Sequence, residues 1–231
     1  MRGPRAVRRT MPKPAEHAPQ PRRRSSALKS RILQAERAAL ERAVEAFESD
    51  PSFERASALI AGSRRRFVLG RGASQGYAAK LASALGASFS QVMLAAPPSL
   101  EALDLLSDVR TGDALIAVCT RPYRRDTVEI ARQYVAAGGT VVLLTDSSDS
   151  PLSAFAAEQV VVDTEDRELG DTSSGILLAI RLLVDLAAAS SKGAARRAQE
   201  RERLGAVLDL YAPEQRWDGR VADPRLGGSV V

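Results

Sequence analysis

The stretch FVLGRGASQGYAAKLASAL, residues 67–85, is an apolar run followed by a glycine-rich turn and an amphipathic helical pattern. A strand–turn–helix unit of this kind presents backbone N–H groups and the positive end of a helix dipole to a phosphate or carboxylate. Gly70 and Gly72 allow a tight turn and a close approach of a ligand to the backbone. Ser74 is predicted to cap the helix and to bond an oxyanion. Any tight strand-to-helix turn favours glycine and serine, so these residues alone do not establish a ligand-binding site. Further evidence must come from the rest of the chain.

The rest of the chain repeats the alternation of a short apolar run and a helical segment. The predicted strands are 66–69, 91–95, 114–118, 141–144 and 159–162, and the predicted helices between and after them are 74–85, 99–106, 126–137, 152–157 and 174–189. Strands that are apolar throughout indicate a parallel sheet covered on both faces. The sequence therefore predicts an α/β fold, a doubly wound five-stranded parallel sheet sandwiched by helices. Ligands bind beyond the carboxyl ends of such strands, where segments 70–74, 119–124 and 145–150 are expected to meet.

The segments that flank the sheet divide the chain into five parts. These are a disordered basic leader (1–26, with five prolines), linker and dimerisation helices (27–62), the α/β domain (63–190), a C-terminal helix (191–211) and a disordered tail (212–231). Asp50 followed by proline predicts the start of a short helix that ends at Gly62. The apolar faces of 27–47 and 174–189 exceed what one face of the sheet needs, so we expect a homodimer.

The net charge of +5 is unevenly distributed, since residues 1–31 carry +9 and the remainder carries −4. A basic leader of this kind either binds nucleic acid weakly or is simply solvated. The sequence has no apolar run near the roughly 20 residues of a membrane span and no apolar segment behind the N-terminal arginines. A single cysteine, Cys119, cannot form an internal disulfide. A cytoplasmic protein without membrane contact is expected.

The chain has few side chains of the kinds that enzymes use for catalysis. With one histidine, His17 in the leader, and one cysteine, the chain lacks the residues of common zinc sites and of Ser–His–Asp catalysis, so no metal and no cofactor are expected. Glu165 and Glu168 are the only candidates for a catalytic base, and the neighbouring acidic residues favour a solvent-exposed cluster that caps the next helix. We therefore expect no catalysis.

Four stretches carry a resemblance to a known family. They are VLGRGASQGYAAKLASAL (68–85), GDALIAVCT (112–120), DTVEIARQYVAAGGTVVLLTDSSDSPLSAFA (126–156) and the region 171–174. The chain resembles the SIS (sugar isomerase) domain over residues 28–190, and specifically the effector-binding domain of RpiR-type bacterial transcriptional regulators. The resemblance implies a non-catalytic domain that senses a phosphosugar or a related anion. The alternative is a sugar-phosphate isomerase or lyase that uses Glu165 or Glu168 as a base.

The sequence departs from the family pattern in two ways. Such regulators usually carry an N-terminal helix-turn-helix domain of about eighty residues, so DNA contacts are expected only through a missing or separate domain, or weakly through the leader. The family's phosphate loop, Ser-x-Ser-Gly-x-Thr, aligns with Cys119, Arg121, Pro122 and Arg124. Pro122 removes a backbone donor, whereas Arg121 and Arg124 offer paired hydrogen bonds to an oxyanion. An altered site and a decayed site with solvated arginines both remain open.

The resemblance implies a set of ligand-binding residues at the carboxyl edge of the sheet. They are Gly70, Gly72, Ala73, Ser74, Cys119, Thr120, Arg121, Arg124 and Ser173. Tyr123 either stacks on a sugar or packs on the surface. Asp126 and Thr127 are predicted to start a helix. Cys119 is either a small core residue or, if the arginines lower its pKa, a reactive thiol.

Overall fold

The computed structural model describes residues 20–164, 170 and 172–210 of the chain, with side chains from residue 25. The helices are α1 (Gln20–Phe47), α2 (Ser52–Gly62), α3 (Gln75–Ser88), α4 (Ala102–Ser107), α5 (Arg125–Ala136), α6 (Ser174–Ala189) and α7 (Ala194–Val207). The strands are β1 (Arg66–Leu69), β2 (Val92–Leu94), β3 (Ala114–Cys119), β4 (Thr140–Thr145) and β5 (Glu158–Val161). The predicted leader up to residue 19 and the tail from 212 lie outside these ranges.

All strand pairs are parallel, and the strand order is β2-β1-β3-β4-β5. This order confirms the predicted doubly wound α/β fold. The register brings the last residues of β3 and β4, Cys119 and Thr145, side by side. The loops that follow β1, β3 and β4 therefore leave the sheet at one edge, which is where the sequence predicts a site.

Two helices differ from the prediction. Helix α1 begins at Gln20, seven residues before the predicted start, because Pro21 is compatible with a first helical turn and the arginines after it favour helix. The predicted helix 152–157 is only a single 3-10 turn, Ser153–Phe155. A turn closed by the Ser150 N–H and the Ser147 carbonyl uses part of the connection, and too few residues remain before β5 for a longer helix.

The sheet has an apolar core on each face. On one face β-strand residues such as Val68 and Ile116 pack against α2, α3 and α6. On the other face residues such as Leu115 and Leu143 pack with Tyr134 of α5 and with α4. Every residue of β1 and β3 is buried, as expected for central strands covered on both sides.

Helix α1 packs on α6 outside the first core. Its buried residues Ala39 and Ala43 lie on the packed side, and Ala43 is near Gly175 of α6. Gly175 lets α6 pack closely on the residue after β5, since a Cβ there would lie 2.9 Å from Cγ1 of Val162. The other side of α1 carries partly exposed apolar side chains, namely Leu28, Ile32, Leu33, Leu40 and Val44. This surface matches the predicted dimerisation helix, and its partner remains a prediction.

The predicted start of α2 is confirmed, because the carboxylate of Asp50 accepts a hydrogen bond from the backbone N–H of Ser52 at 2.9 Å.

No single helix of the described ranges has the length and apolar character to cross a bilayer. Helices α6 and α7 meet such a test only as a pair, bent by 104°.

Candidate functional site

The turn after β1 and the end of β3 are joined through two buried hydroxyl groups. The Oγ of Ser74 lies 3.1 Å from the Oγ1 of Thr120 and accepts a hydrogen bond from the Thr120 backbone N–H at 3.2 Å. Ser74 is only 3% exposed and makes no capping hydrogen bond to α3. The predicted capping role of Ser74 is therefore wrong, and the hydroxyl instead holds two loops of the site together.

The two glycines of the turn serve different purposes. A Cβ on Gly70 would lie 2.6 Å from the carbonyl oxygen of Ser74, so Gly70 allows the strand end to pack directly on the start of α3. Gly72 has φ of +59°, a left-handed conformation that favours glycine. The side-chain stem of Arg124 lies close by, because a Cβ on Gly72 would be 3.5 Å from its Cδ. The exposed Ala73 follows in the same turn.

Asp146, directly after β4, organises the loop that follows β3. Its carboxylate accepts hydrogen bonds from the Arg121 backbone N–H at 3.0 Å and from the Tyr123 hydroxyl at 2.7 Å. The hydroxyl of Thr145 donates to the Cys119 carbonyl at 2.8 Å. Burial, together with Asp146, raises the pKa of Tyr123. The predicted meeting of the three loops is thus confirmed by direct hydrogen bonds.

The cations at this edge fall into two groups. Arg124 donates two hydrogen bonds to the carboxylate of Asp126, at 3.1 and 2.9 Å, and this guanidinium lowers the pKa of Asp126. Arg121 forms no ion pair with a described carboxylate, and its guanidinium lies 6.0 Å from the ring of Tyr123. The Nε of Arg71 is buried and has no hydrogen-bond partner among the described residues. Neither Arg71 nor Arg121 forms an ion pair with a described carboxylate, although the charge of Arg71 helps to lower the pKa of Asp126, so both can contribute to binding an anion.

Helices α3, α5 and α6 all begin at this edge, but their first turns differ. In α5 the carboxylate of Asp126 accepts a hydrogen bond from the Thr127 N–H at 2.9 Å, as expected for helix-start residues. In α6 the carboxylate of Glu36, from α1, accepts hydrogen bonds from the N–H groups of Ser173 and Ser174 at 3.2 and 3.1 Å. In α3 the N-cap residue Ser74 makes no side-chain capping hydrogen bond, and the Gln75 N–H bonds to the carbonyl of Gly72 in the preceding 3-10 turn, Gly72–Ser74. The first turn of α3 therefore differs from those of α5 and α6, where Asp126 and Glu36 place a carboxylate.

The remaining predicted residues are placed as follows. Ser173 lies at the start of α6, where Glu36 engages both its N–H and its hydroxyl. Cys119 is 3% exposed and belongs to the core around α5, and burial raises the pKa of its thiol to about 11. The reactive-thiol hypothesis is wrong, and the core interpretation is confirmed. Glu165 and Glu168 lie outside the described residues.

Within the described ranges, no three His, Cys, Asp or Glu side chains are grouped to hold a metal ion. Three residues of the site, Glu36, Arg71 and Asp146, are not among those that the sequence predicts. Arg71 stands between the two glycines, and Asp146 directly follows a predicted strand, so both carried a local signal. Glu36 carried none, because its partner Ser173 is 137 residues away along the chain.

Together these features define a doubly wound α/β domain in which α3 begins, next to Arg71, at the carboxyl edge of the sheet. The model of one family, the SIS domain, matches residues 59–187, more than half of the chain. The protein belongs to the SIS domain family. A search of curated proteins finds no sequence of significant similarity.

Solved structures show the same fold. The sugar isomerase domain of an RpiR transcription factor from Sphaerobacter thermophilus has 23% identity and a TM-score of 0.69, over 80% of this chain and 99% of that one. Vibrio vulnificus NanR, complexed with ManNAc-6P, has 21% identity and a TM-score of 0.68, over 82% of this chain and 73% of that one. The Escherichia coli protein c3406 has 18% identity and a TM-score of 0.61, over 78% of this chain and 98% of that one.

Proposed function

We propose that this protein is a non-catalytic SIS domain that binds a phosphosugar or a related anionic sugar derivative, and that it acts as the ligand sensor of an RpiR-type transcriptional regulator. The observation that carries the proposal is the start of α3, where the Ser74 side chain makes no capping hydrogen bond, with Arg71 in the preceding turn and Arg121 in the loop that Thr120 joins to Ser74. Helix N-termini attract phosphate because their first N–H groups have no intrahelical acceptor and the helix dipole adds positive potential.

The surrounding loops suit this role because their own polar groups are already satisfied. Asp146 holds the backbone N–H of Arg121 and the hydroxyl of Tyr123, and Asp126 holds the guanidinium of Arg124. Such contacts fix the loops before a ligand arrives, which reduces the entropy lost on binding. A phosphate would then be recognised by α3 and by Arg71 and Arg121, instead of by the serines of the usual family loop.

The placement of Arg124 refines the hypothesis of two arginines that grip an oxyanion. Its guanidinium is paired with Asp126 while its stem lies over Gly72. Arg124 therefore serves as a wall of the site, and Arg121 is the arginine of this loop that contacts the anion. The ligand of one similar structure supports the same class of molecule, since NanR is complexed with ManNAc-6P.

A regulatory role requires DNA contacts and a second subunit. We propose that DNA is bound through a separate domain or weakly through the basic leader, and that the apolar side of α1 pairs with a second copy of the chain. Leu28, Ile32 and Leu33, each more than 40% exposed, would become buried in that dimer.

The experiment is thermal unfolding of the full chain against a panel of sugar phosphates, each compared with its unphosphorylated sugar. A ligand at 100 times its dissociation constant adds about 2.7 kcal/mol of stability, which raises the melting temperature by several degrees. The variant Arg71→Ala/Arg121→Ala should lose this shift. The control Arg132→Ala/Arg181→Ala, which removes two exposed arginines elsewhere, should keep it.

Two results would contradict the proposal. One is the absence of a shift with every sugar phosphate. The other is a shift that is equal in the wild type and in Arg71→Ala/Arg121→Ala, because binding would then not use this edge of the sheet.

The alternative function is a sugar-phosphate isomerase or lyase with Glu165 or Glu168 as the base. The observation in its favour is their place in the sequence, since both residues follow β5, which ends at Val161. An aldose–ketose conversion assay distinguishes the two functions. Turnover that is lost in Glu165→Gln/Glu168→Gln would establish the enzyme, and binding without turnover would support the sensor.

A further inference from the structure

A cleft lies at the edge of the sheet opposite the candidate site, where the strands begin. Its volume is about 930 Å³, and it is lined by the start of β1, by residues 88–90 before β2, and by α7. Five arginines line it: Arg64, Arg66, Arg196, Arg197 and Arg201. We propose that this cleft binds a small polyanion that carries two or more linked phosphate groups.

The charge in the cleft is almost entirely positive. Its one acidic residue, Glu200, is already held by Arg203 through two hydrogen bonds of 2.8 and 2.6 Å. None of the five lining arginines forms an ion pair with a carboxylate in the described part of the chain. Nine other arginines do form one: Arg37, Arg42, Arg55, Arg65, Arg110, Arg124, Arg132, Arg181 and Arg203. Unpaired arginines are thus concentrated in this cleft.

Arg66, the first residue of β1, places a fixed positive charge in the wall of the cleft. It is 5% exposed, and its guanidinium donates to the carbonyls of Ile60 and Ala61, at 2.6 and 2.8 Å, at the C-terminus of α2. The guanidinium also lies 4.3 Å from the ring of Phe89. Burial lowers the pKa of Arg66. An anion in the cleft would supply the countercharge that no described carboxylate provides.

Helix α7 forms one wall of the cleft, with one arginine held by a hydrogen bond to α3 and two arginines exposed to solvent. The Nε of Arg197 donates to the carbonyl of Gly86, near the C-terminus of α3, at 3.3 Å. Arg196 and Arg201 on the same helix are exposed, so their guanidinium groups can close on a ligand without disturbing the core. Guanidinium groups bind phosphate oxygens in pairs, which suits several phosphates within one cleft.

The shape and lining of the cleft favour a small ligand over nucleic acid. A concave site lined by several cations fits a compact molecule that enters it, whereas nucleic-acid backbones lie along extended surfaces. The one aromatic ring that lines the cleft, Phe89, is buried and covered by Arg66, so it offers no platform for a base. Recognition would therefore be through the phosphate groups.

Isothermal titration calorimetry of the full chain tests the inference, in about 150 mM salt to suppress weak contacts. The probes are inorganic phosphate, inorganic pyrophosphate and ADP. Pyrophosphate and ADP should bind one per chain with similar affinity, and about tenfold or more tighter than phosphate, because each adds a second charged group. The variant Arg196→Gln/Arg201→Gln should weaken both about tenfold. Arg132→Gln/Arg181→Gln, with the same charge change elsewhere, should bind as the wild type does.

Three outcomes would overturn the inference. They are the absence of pyrophosphate binding, equal weakening in the two charge variants, and loss of pyrophosphate binding in Arg71→Ala/Arg121→Ala, which would place the ligand at the other edge of the sheet. A DNA duplex that binds through Arg196 and Arg201 while pyrophosphate does not would show instead that the arginines contact nucleic acid.

Discussion

The carboxylate of Glu36, in the middle of α1, lies over the N-terminus of α6 and bonds both the backbone N–H and the hydroxyl of Ser174. The neighbouring Ser173 donates to the same carboxylate. A charge from one helix thus caps another helix that starts at the ligand edge of the sheet. It links the position of α1, the predicted dimerisation helix, to the site.

Replacement of Glu36 by glutamine should destabilise the fold. The amide keeps the shape but loses the negative charge that favours the helix N-terminus, at a cost of about 1 kcal/mol for this half-exposed group. Urea unfolding of the variant measures the loss. Glu45→Gln, an exposed position of the same helix, is the control and should be neutral. Equal effects of the two changes would show that Glu36 is not a cap.

The pH dependence of stability should reflect the same contact. Partial burial raises the pKa of Glu36, but the hydrogen bonds from Ser174 and Ser173 outweigh burial and hold it below 4.5. Because the folded-state pKa is the lower one, the stabilisation is complete above the unfolded-state pKa and is lost as the pH falls through the folded-state pKa. The stability difference between wild type and Glu36→Gln should therefore shrink as the pH falls from about 6 to about 3. A difference that stays constant would refute this.

The hydroxyl pair of Ser74 and Thr120 should show strong coupling. Ser74→Ala leaves the buried N–H and hydroxyl of Thr120 without their partner, at a cost of about 1–3 kcal/mol. Thr120→Val removes the other hydroxyl, and the double variant should lose less than the sum of the two single losses. A double-mutant cycle by denaturant unfolding measures the coupling. Strict additivity would mean that the two hydroxyls do not interact.

Cys119 should be inert in the folded protein. Its thiol is buried and its pKa is raised to about 11, so both access and thiolate formation are limited near neutral pH. A chromogenic disulfide reagent should react with it only when urea unfolds the chain. Rapid reaction of the folded protein would contradict the buried position.

Much of the fold could be predicted because its signals are local. Each predicted strand lies within one residue of the observed ends, since fully buried strands such as β3 are apolar throughout and are bounded by polar turns. The edge at which the loops meet follows from parallel strands alone. The predicted helix 152–157 is wrong, because the structure has only the 3-10 turn Ser153–Phe155 there. The apolar residues of this segment do not show that the preceding turn takes up part of the connection to β5.

The details of the site could not be predicted, because they depend on pairings between distant segments. The composition of the turn suggested that Ser74 caps α3, but a buried partner 46 residues away, Thr120, uses the hydroxyl instead. Arg124 pairs with Asp126, two residues away, so Asp126 competes with an anionic ligand for this guanidinium. An alignment to a phosphate loop does not reveal that competition. The cap on α6 from Glu36 arises only when α1 packs on α6.

Substitution of Gln75, the exposed first residue of α3, changes the charge at the helix N-terminus with little change in shape. A carboxylate in Gln75→Glu should interact favourably with the helix dipole and raise the stability of the ligand-free protein by about 0.3–1 kcal/mol. The same carboxylate should repel a phosphate at this turn. The substitution therefore has effects of opposite sign on folding and on ligand binding.

The decisive measurement is calorimetric titration of wild type and Gln75→Glu with a sugar phosphate that stabilises the wild type, and with the matching unphosphorylated sugar. We expect the wild type to bind the phosphorylated form, and Gln75→Glu to lose that binding while remaining at least as stable as the wild type. Undiminished binding of the sugar phosphate by a folded Gln75→Glu variant would contradict a phosphate site at the start of α3.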